Sequence, residues 1–296
     1  MADEHAQLVA RVEGRSLCSP DRLGARDTGG RQKEASSAAA PAAPASCVHL
    51  EYLRQDGNPQ WQEQVGCIGA ASGGYALGTA LEQTVDGGCV ISGGTRDCQF
   101  SPICPYLTSQ ACGLIVKLDA AGNLAWTRIY SSSATETTFW DVKQTGDGGF
   151  VAVGTYRDPN GGTGSLILKL DGGGTVQWQT LLVPLARTYA YLEAVQPTRD
   201  GGYVAAGQFY PLSSTGTGAG VLAVKLDANG NVAWQCGFNS FDSSGAPTAG
   251  EWVSSVIQTA EGGYLVAGVW GNATLPGTCC QGPLLLKLDA NGNSEW

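Results

Sequence analysis

Histidine is nearly missing from this chain. Only His5 and His49 occur among 296 residues, and none lies between residues 50 and 296. A Ser-His-Asp or Cys-His mechanism would have to recruit His49, and a His-ligated zinc or iron site is excluded from that span. Charge is also scarce. Asp, Glu, Lys and Arg make up 15% of the residues, with a net charge of -9. The C-terminal five-sixths holds no cluster of Lys or Arg, which argues against nucleic acid as a partner. The acidic balance serves solubility instead. No run of 18 apolar residues exists, so no transmembrane segment is expected. The opening MADEHAQLVARVEGRS lacks the apolar stretch of a secretory signal.

Glycine is abundant. It supplies 43 residues, about twice the roughly 7% of average proteins. With so little charge, this composition suits short strands joined by tight turns, and suits neither a helical bundle nor a coiled coil.

A ten-residue phrase organises the chain. Residues 225–234 read KLDANGNVAW, and the phrase returns as KLDAAGNLAW at 117–126, KLDGGGTVQW at 169–178 and KLDANGNSEW at 287–296. A weaker copy spans 51–61. There Tyr52 stands in place of Lys and Arg54 in place of Asp, while Gly57, Asn58 and Trp61 keep register. The landmark tryptophans are therefore Trp61, Trp126, Trp178, Trp234 and Trp296. Their spacing of 52 to 65 residues points to a propeller or a solenoid.

A second phrase falls between each pair of tryptophans. QTVDGGCVISG begins at Gln83 and QTGDGGFVAVG at Gln144. TRDGGYVAAG begins at Thr198 and TAEGGYLVAG at Thr259. An acidic residue followed by two glycines between apolar runs is a hairpin signal, because glycine takes the positive φ of a tight turn. Each unit then holds about four strands in a meander. Such a sheet cannot bury both faces alone, and stacking sheets around an axis does so. The expected architecture is an all-β propeller of four-stranded antiparallel blades, with about four full repeats and a half repeat. The units run at about 47–61, 62–126, 127–178, 179–234 and 235–296. Residues 1–46 are expected to form a disordered tail, given ASSAAAPAAPAS at 35–46. The half unit and the unfinished final unit complement each other, so pairing between them could close a ring.

Function is less legible. Ten cysteines do not follow the repeat. Cys98, Cys104 and Cys112 crowd one loop and Cys279-Cys280 are adjacent. Loop cysteines read as disulfides of an oxidising compartment, with a thiol metal site as the lesser alternative. The turns at Asp227 and Asp289 resemble part of a calcium loop. Asp119 is followed by Ala-Ala-Gly and Asp171 by Gly-Gly-Gly in the equivalent turns, so a self-bonded hairpin turn is favoured over an ion site. The repeated Lys residues read as apolar stems with paired ends rather than a ring around an anion. The repeated tryptophans read as wedges between sheets. Trp140, Trp252 and Trp270 break the repeat and are the candidates for stacking on a sugar or a partner. Glu136 with Asp141 or Glu193 are candidate carboxylates for acid–base work, although nothing in the sequence pairs them.

The alternation of T-x-D-G-G-[YF]-x-x-x-G with K-L-D-x-x-G-x-x-x-W resembles the repeats of secreted bacterial β-propeller proteins of the SBBP-like kind, across residues 50–296. That resemblance implies an extracellular or surface scaffold. The expected function is accordingly non-enzymatic binding of a protein or glycan through variable loops, without a cofactor. The alternative is a propeller enzyme. The K-L-D-x-x-G-x-x-x-W phrase is similar to the tryptophan-docking repeats of quinoprotein dehydrogenases, and a glycosidase or lyase propeller is a further option.

Overall fold

A computed structural model describes residues 7–11, 48–53, 59–65, 76–95, 112–130, 136–157, 163–182, 188–211, 220–238, 251–271 and 281–296. The side chains of 7–11 and 48–65 lie outside that description, as does most of the 1–46 segment. The described elements are all strands. A leading sheet joins β1 (Gln7–Arg11), β2 (Val48–Leu53) and β3 (Pro59–Val65). The next sheet holds β4 (Ala76–Gln83), β5 (Cys89–Thr95), β6 (Cys112–Leu118) and β7 (Leu124–Tyr130). The third holds β8 (Glu136–Gln144), β9 (Phe150–Arg157), β10 (Thr163–Leu170) and β11 (Val176–Leu182). The fourth holds β12 (Thr188–Pro197), β13 (Tyr203–Pro211), β14 (Gly220–Leu226) and β15 (Val232–Phe238). The last holds β16 (Glu251–Gln258), β17 (Tyr264–Gly271) and β18 (Gln281–Leu288). Residues 294–296 return along β18 as the start of a fourth strand.

Every sheet is an antiparallel meander in sequence order. The expected propeller blades are therefore present. The half unit behaves differently from one expectation. It pairs with β1, drawn from the 1–46 segment, and builds a sheet of its own instead of completing the sheet of β18.

The two repeated phrases are halves of one device. In the blade of β12–β15, Thr198 N–H donates to the Gly202 carbonyl at 2.9 Å, and Gly201 turns the corner with φ of 79°. Asp200 thereby points back at the sheet. Its carboxylate accepts from Gly202 N–H at 3.0 Å and from the Thr198 hydroxyl at 2.5 Å. The buried Lys225, 25 residues later, reaches the same carboxylate at 2.8 Å and donates to the Leu226 carbonyl at 2.9 Å. A Cβ on Gly202 would lie 2.2 Å from that carbonyl and 2.6 Å from the ammonium. The second glycine is thus the slot into which the lysine fits. Lys117–Asp86 at 2.8 Å, Lys169–Asp147 at 2.7 Å and Lys287–Glu261 repeat the device. Each lysine is satisfied within its own blade, so the four do not form a common anion site.

The tryptophans join blade to blade, always forwards. Trp126 donates its Nε1–H to the Gly172 carbonyl of the next blade at 3.0 Å and meets Phe150 edge-on at 5.7 Å. Trp234 donates to the Ala290 carbonyl at 3.2 Å and meets Tyr264 at 5.6 Å. Trp178 meets Tyr203 at 5.5 Å and lies so close over Gly230 that a Cβ there would be 2.5 Å from the ring. Beneath these contacts the sheets bury apolar layers. Val90 and Ile115 pack with Phe139, Val142 and Phe150, and Val151 and Ile167 pack with Leu192, Val195 and Tyr203. Fully burying one such side chain stabilises by about 1.5–3 kcal/mol.

The first strands β4, β8, β12 and β16 lie at one edge of their sheets. Each packs against the first strand of the neighbouring blade. This shared edge is the inner edge of the propeller, and it carries the irregular residues.

Candidate functional site

Each inner strand is bulged at the same place, after Gly78, Phe139, Leu192 and Val253. The extra residues are Thr79, Trp140, Glu193 and Ser254. A bulge re-aims one side chain and bends the strand. The partner strand makes room with glycine: a Cβ on Gly207 would sit 1.8 Å from the Tyr191 carbonyl. The second phrase thus ends in glycine because the inner strand kinks there. The kink presents Glu193 where the other blades carry Thr, Trp or Ser.

Glu193 is half-buried, and both carboxylate oxygens accept from the amide of Gln208, at 3.0 and 2.9 Å. Gln208 is buried and in turn accepts from the Tyr210 hydroxyl at 2.6 Å. Burial pushes the Glu193 carboxyl above the ordinary glutamate range, and the Gln208 hydrogen bond offsets only part of that. Tyr191 crosses Tyr210 edge-on at 5.8 Å and lies nearly parallel to Tyr189 at 6.5 Å. A carboxyl of raised pKa thus shares one end of β12 and β13 with three tyrosines.

Asp141 on the neighbouring inner strand is bound to the same place. Being an edge strand, β12 has backbone N–H groups without a ladder partner. Asp141 Oδ2 accepts one of them, from Val195, at 3.0 Å, two residues beyond Glu193. Its Oδ1 accepts from the Val142 N–H at 2.9 Å and from Lys143 at 3.0 Å. Lys143 also approaches Glu82 of the preceding blade at 3.6 Å. Burial raises the pKa of Glu82, with Lys143 opposing. Asp141 therefore serves as a clip between blades and positions the strand that carries Glu193. Glu136 lies at the far end of β8, 3.9 Å from Arg157. The structure draws Asp141 and Glu193 into one neighbourhood and leaves Glu136 outside it.

The three expected stacking tryptophans are exposed but not gathered. Trp140 occupies the bulge of β8, the position of Glu193 one blade on, and is 37% exposed. Trp252 is opposite Val269, and Trp270 is opposite Glu251, so the two project from opposite faces of one sheet. The acidic turns are self-satisfied. Asp227 Oδ1 accepts from the Asn229 and Asn231 amides at 2.9 and 2.8 Å, and Asp289 does the same with Asn291 and Asn293 at 2.8 Å each. Among the described residues, no three His, Cys, Asp or Glu side chains gather as metal ligands. Cys89 and Cys236 are free thiols, and Cys112 is buried at the head of β6. Cys98, Cys104, Cys279 and Cys280 lie outside the described residues, as do the loops that hold them. No described helix is long and apolar enough to cross a membrane.

Sequence reasoning named Glu193 and missed its setting. The signal was the alternation Tyr189, Tyr191, Glu193 on a strand already marked by its hairpin. Alternation puts the three on one face. Nothing in the sequence links Asp141 to Val195 or Lys143 to Glu82.

No protein-family model and no curated protein matches the chain. Solved structures are similar to it. One is a GH43 β-1,3-galactosidase bound to galactodeoxynojirimycin, with a TM-score of 0.44 and 10% identity, over 86% of this chain and 85% of that one. Another is the xylan β-1,4-xylosidase of Bacillus halodurans, with a TM-score of 0.42 and 14% identity, over 83% of this chain and 49% of that one. A second GH43 β-1,3-galactosidase has a TM-score of 0.41 and 13% identity, over 81% of this chain and 50% of that one. All three are by name enzymes that cleave glycosides. These neighbours run against the expectation of a non-enzymatic scaffold drawn from the repeats, while the likeness itself is one of fold; what this chain offers to chemistry is the carboxyl cluster at its inner edge.

Proposed function

We propose that this chain is a carbohydrate-cleaving propeller enzyme and that Glu193 is its proton donor. One observation carries the reading: a half-buried carboxyl with a raised pKa, aimed by a strand bulge and oriented by Gln208, stands beside Tyr191 and Tyr210. Glycoside hydrolysis needs a carboxylic acid that still holds its proton near neutral pH, and an apolar setting supplies one. Flat aromatic rings beside such an acid suit the apolar face of a sugar. Asp141 enters as a positioning residue that holds the Glu193 strand through Val195.

The test uses the distinct demand of a leaving group for a proton. Unactivated oligosaccharides need it and p-nitrophenyl glycosides hardly do. E193Q should lose about 10²- to 10⁴-fold in kcat on galacto- or xylo-oligosaccharides and far less on the aryl glycosides. The alkaline limb of the wild-type profile should follow Glu193, with activity falling as pH rises through its raised pKa. Equal losses on both substrate types, or no hydrolysis by folded wild-type protein, would remove the proposal.

The same reading puts the protein outside the cell, where Cys98, Cys104, Cys112, Cys279 and Cys280 would form disulfides. Alkylation without reductant, followed by mass measurement, checks this: free thiols at all five positions would refute it.

A further inference from the structure

The three interfaces between neighbouring sheets from β4 to β18 define what a blade needs on its forward face. Ile115, Ile167 and Ala223 occupy one position of the third strand and are each 0% exposed, covered by the following blade. Leu285 occupies that position on β18 and is 54% exposed. Trp126, Trp178 and Trp234 rest on the following blade, whereas Trp296 is 66% exposed. Val269 and Trp252 extend the uncovered surface across β17 and β16, at 38% and 44%. The last sheet therefore presents a blade-docking face with the chemistry of the other three and no blade on it.

The repeats also specify the occupant. The docking tryptophan donates to the carbonyl one residue after the turn Asp, Gly172 after Asp171 and Ala290 after Asp289. Its ring lies on the turn glycine, at Gly174, Gly230 and Gly292. The receiving faces of the blades begun by β8, β12 and β16 are filled by the blades before them. That of the blade begun by β4 is closed to solvent, with Cys89 and Val116 each 1% exposed. One further copy of the turn phrase exists in the chain: Arg54 stands at the Asp position, Gln55 at the acceptor and Gly57 at the glycine.

We propose that the face formed by β16–β18 is the docking site for the leading hairpin of this same chain, residues 48–65. The contact continues the forward rule of the other interfaces.

The full chain carrying p-benzoylphenylalanine at position 285 tests this, as a mixture of ¹⁵N-labelled and unlabelled copies. Irradiation should give monomer-sized products in which residue 285 is joined to a peptide from 48–65 of the same isotopic chain. A Gly57→Val change should reduce that product to background while leaving the far-ultraviolet circular dichroism unaltered, because Gly57 holds the repeat position on which the other docking tryptophans rest. Mixed-isotope dimers would show that a second copy fills the face. They would overturn the proposal, as would no crosslink to 48–65, or a crosslink unaffected by Gly57→Val.

Discussion

The outer and inner parts of each blade obey different rules. The Lys–Asp slot and the forward tryptophan recur almost unchanged from blade to blade. At the bulge of the inner strand the four blades carry Thr79, Trp140, Glu193 and Ser254, four different chemistries on one backbone. Where a position must meet the same neighbour in every blade, physics permits one solution. Where it faces the shared inner edge, each blade is free to differ, and there chemistry can be placed. Changes in the first class should cost stability and spare the carboxyl cluster. Changes in the second should do the reverse.

The largest expected effect tests the first half of that statement. Gly202→Ala drives a methyl to 2.2 Å from the Leu226 carbonyl and displaces the Lys225 ammonium. It should cost about 3 kcal/mol, read as a shift of the denaturant midpoint, with the tyrosine cluster retained. A loss below about 1 kcal/mol would mean that the slot is slack. Asp141→Ala should break the comparison, because this inner residue is structural. It strands the Val195 N–H and leaves Lys143 with Glu82 alone, and should cost about 2–3 kcal/mol. Asp141→Asn should recover part of that, since an amide oxygen can still accept from Val195. An alanine variant of wild-type stability would place Asp141 among the purely chemical residues.

These two residues also show what could be read from the sequence. The repeat phrases located strands, turns and wedging tryptophans because each is a local signal with a local cause. Glycine supplies positive φ at a turn, and the Trp falls at a fixed spacing from it. The pairing of Gly202 with Lys225 was visible only as two phrases that always travel together. Asp141 was visible as a candidate carboxylate, but its role as a clip gave no signal, because its partner is a backbone amide 54 residues away, and backbone groups have no letter in a sequence. Glu193 was visible as a carboxylate, but its raised pKa is set by burial and by Gln208, which reach it only through the fold.

A middle-sized effect separates the two roles of a docking tryptophan. Trp126→Phe keeps most of the edge contact with Phe150 and loses the bond to the Gly172 carbonyl. The loss should be about 1 kcal/mol, against about 3 kcal/mol for Trp126→Ala. Equal losses would show that the indole N–H, not the ring, makes the joint. Acid acts on the other repeated device. The Lys117 hydrogen bond, followed by the Thr84 hydroxyl, lowers the Asp86 carboxyl to about 2. Asp147 and Asp200 are also held at about 2, where their bonds to Lys169 and Lys225 overcome an opposing effect of burial. Folded values below the unfolded 3.8 mean that the stabilisation is complete above about pH 4 and is lost as pH falls towards 2. The three carboxylates are 54–60% exposed, so solvent screening leaves on the order of 1 kcal/mol for the set. Lys117→Met should flatten the acid limb by about a third.

The smallest effect belongs to the exposed turns, and it separates a turn from an ion site. Asp227 holds its own loop through the Asn229 and Asn231 amides and through the Asn231 side chain at 2.9 Å. That third bond is the one the Asn231 side chain supplies; the equivalent Thr175 and Asn293 differ in whether they can offer it. Asn231→Ala should therefore move the melting midpoint less than any change above, because the two backbone donors remain. A calcium loop would behave otherwise. Its carboxylate would be turned out towards the ion, and millimolar calcium would raise the midpoint of the wild-type chain more than that of the variant. The Asp227 carboxylate points inward and is occupied by N–H donors, so calcium should leave both midpoints unchanged. A calcium-dependent rise that Asn231→Ala removes would show that the turn opens to bind an ion and that this repeated element has a second role.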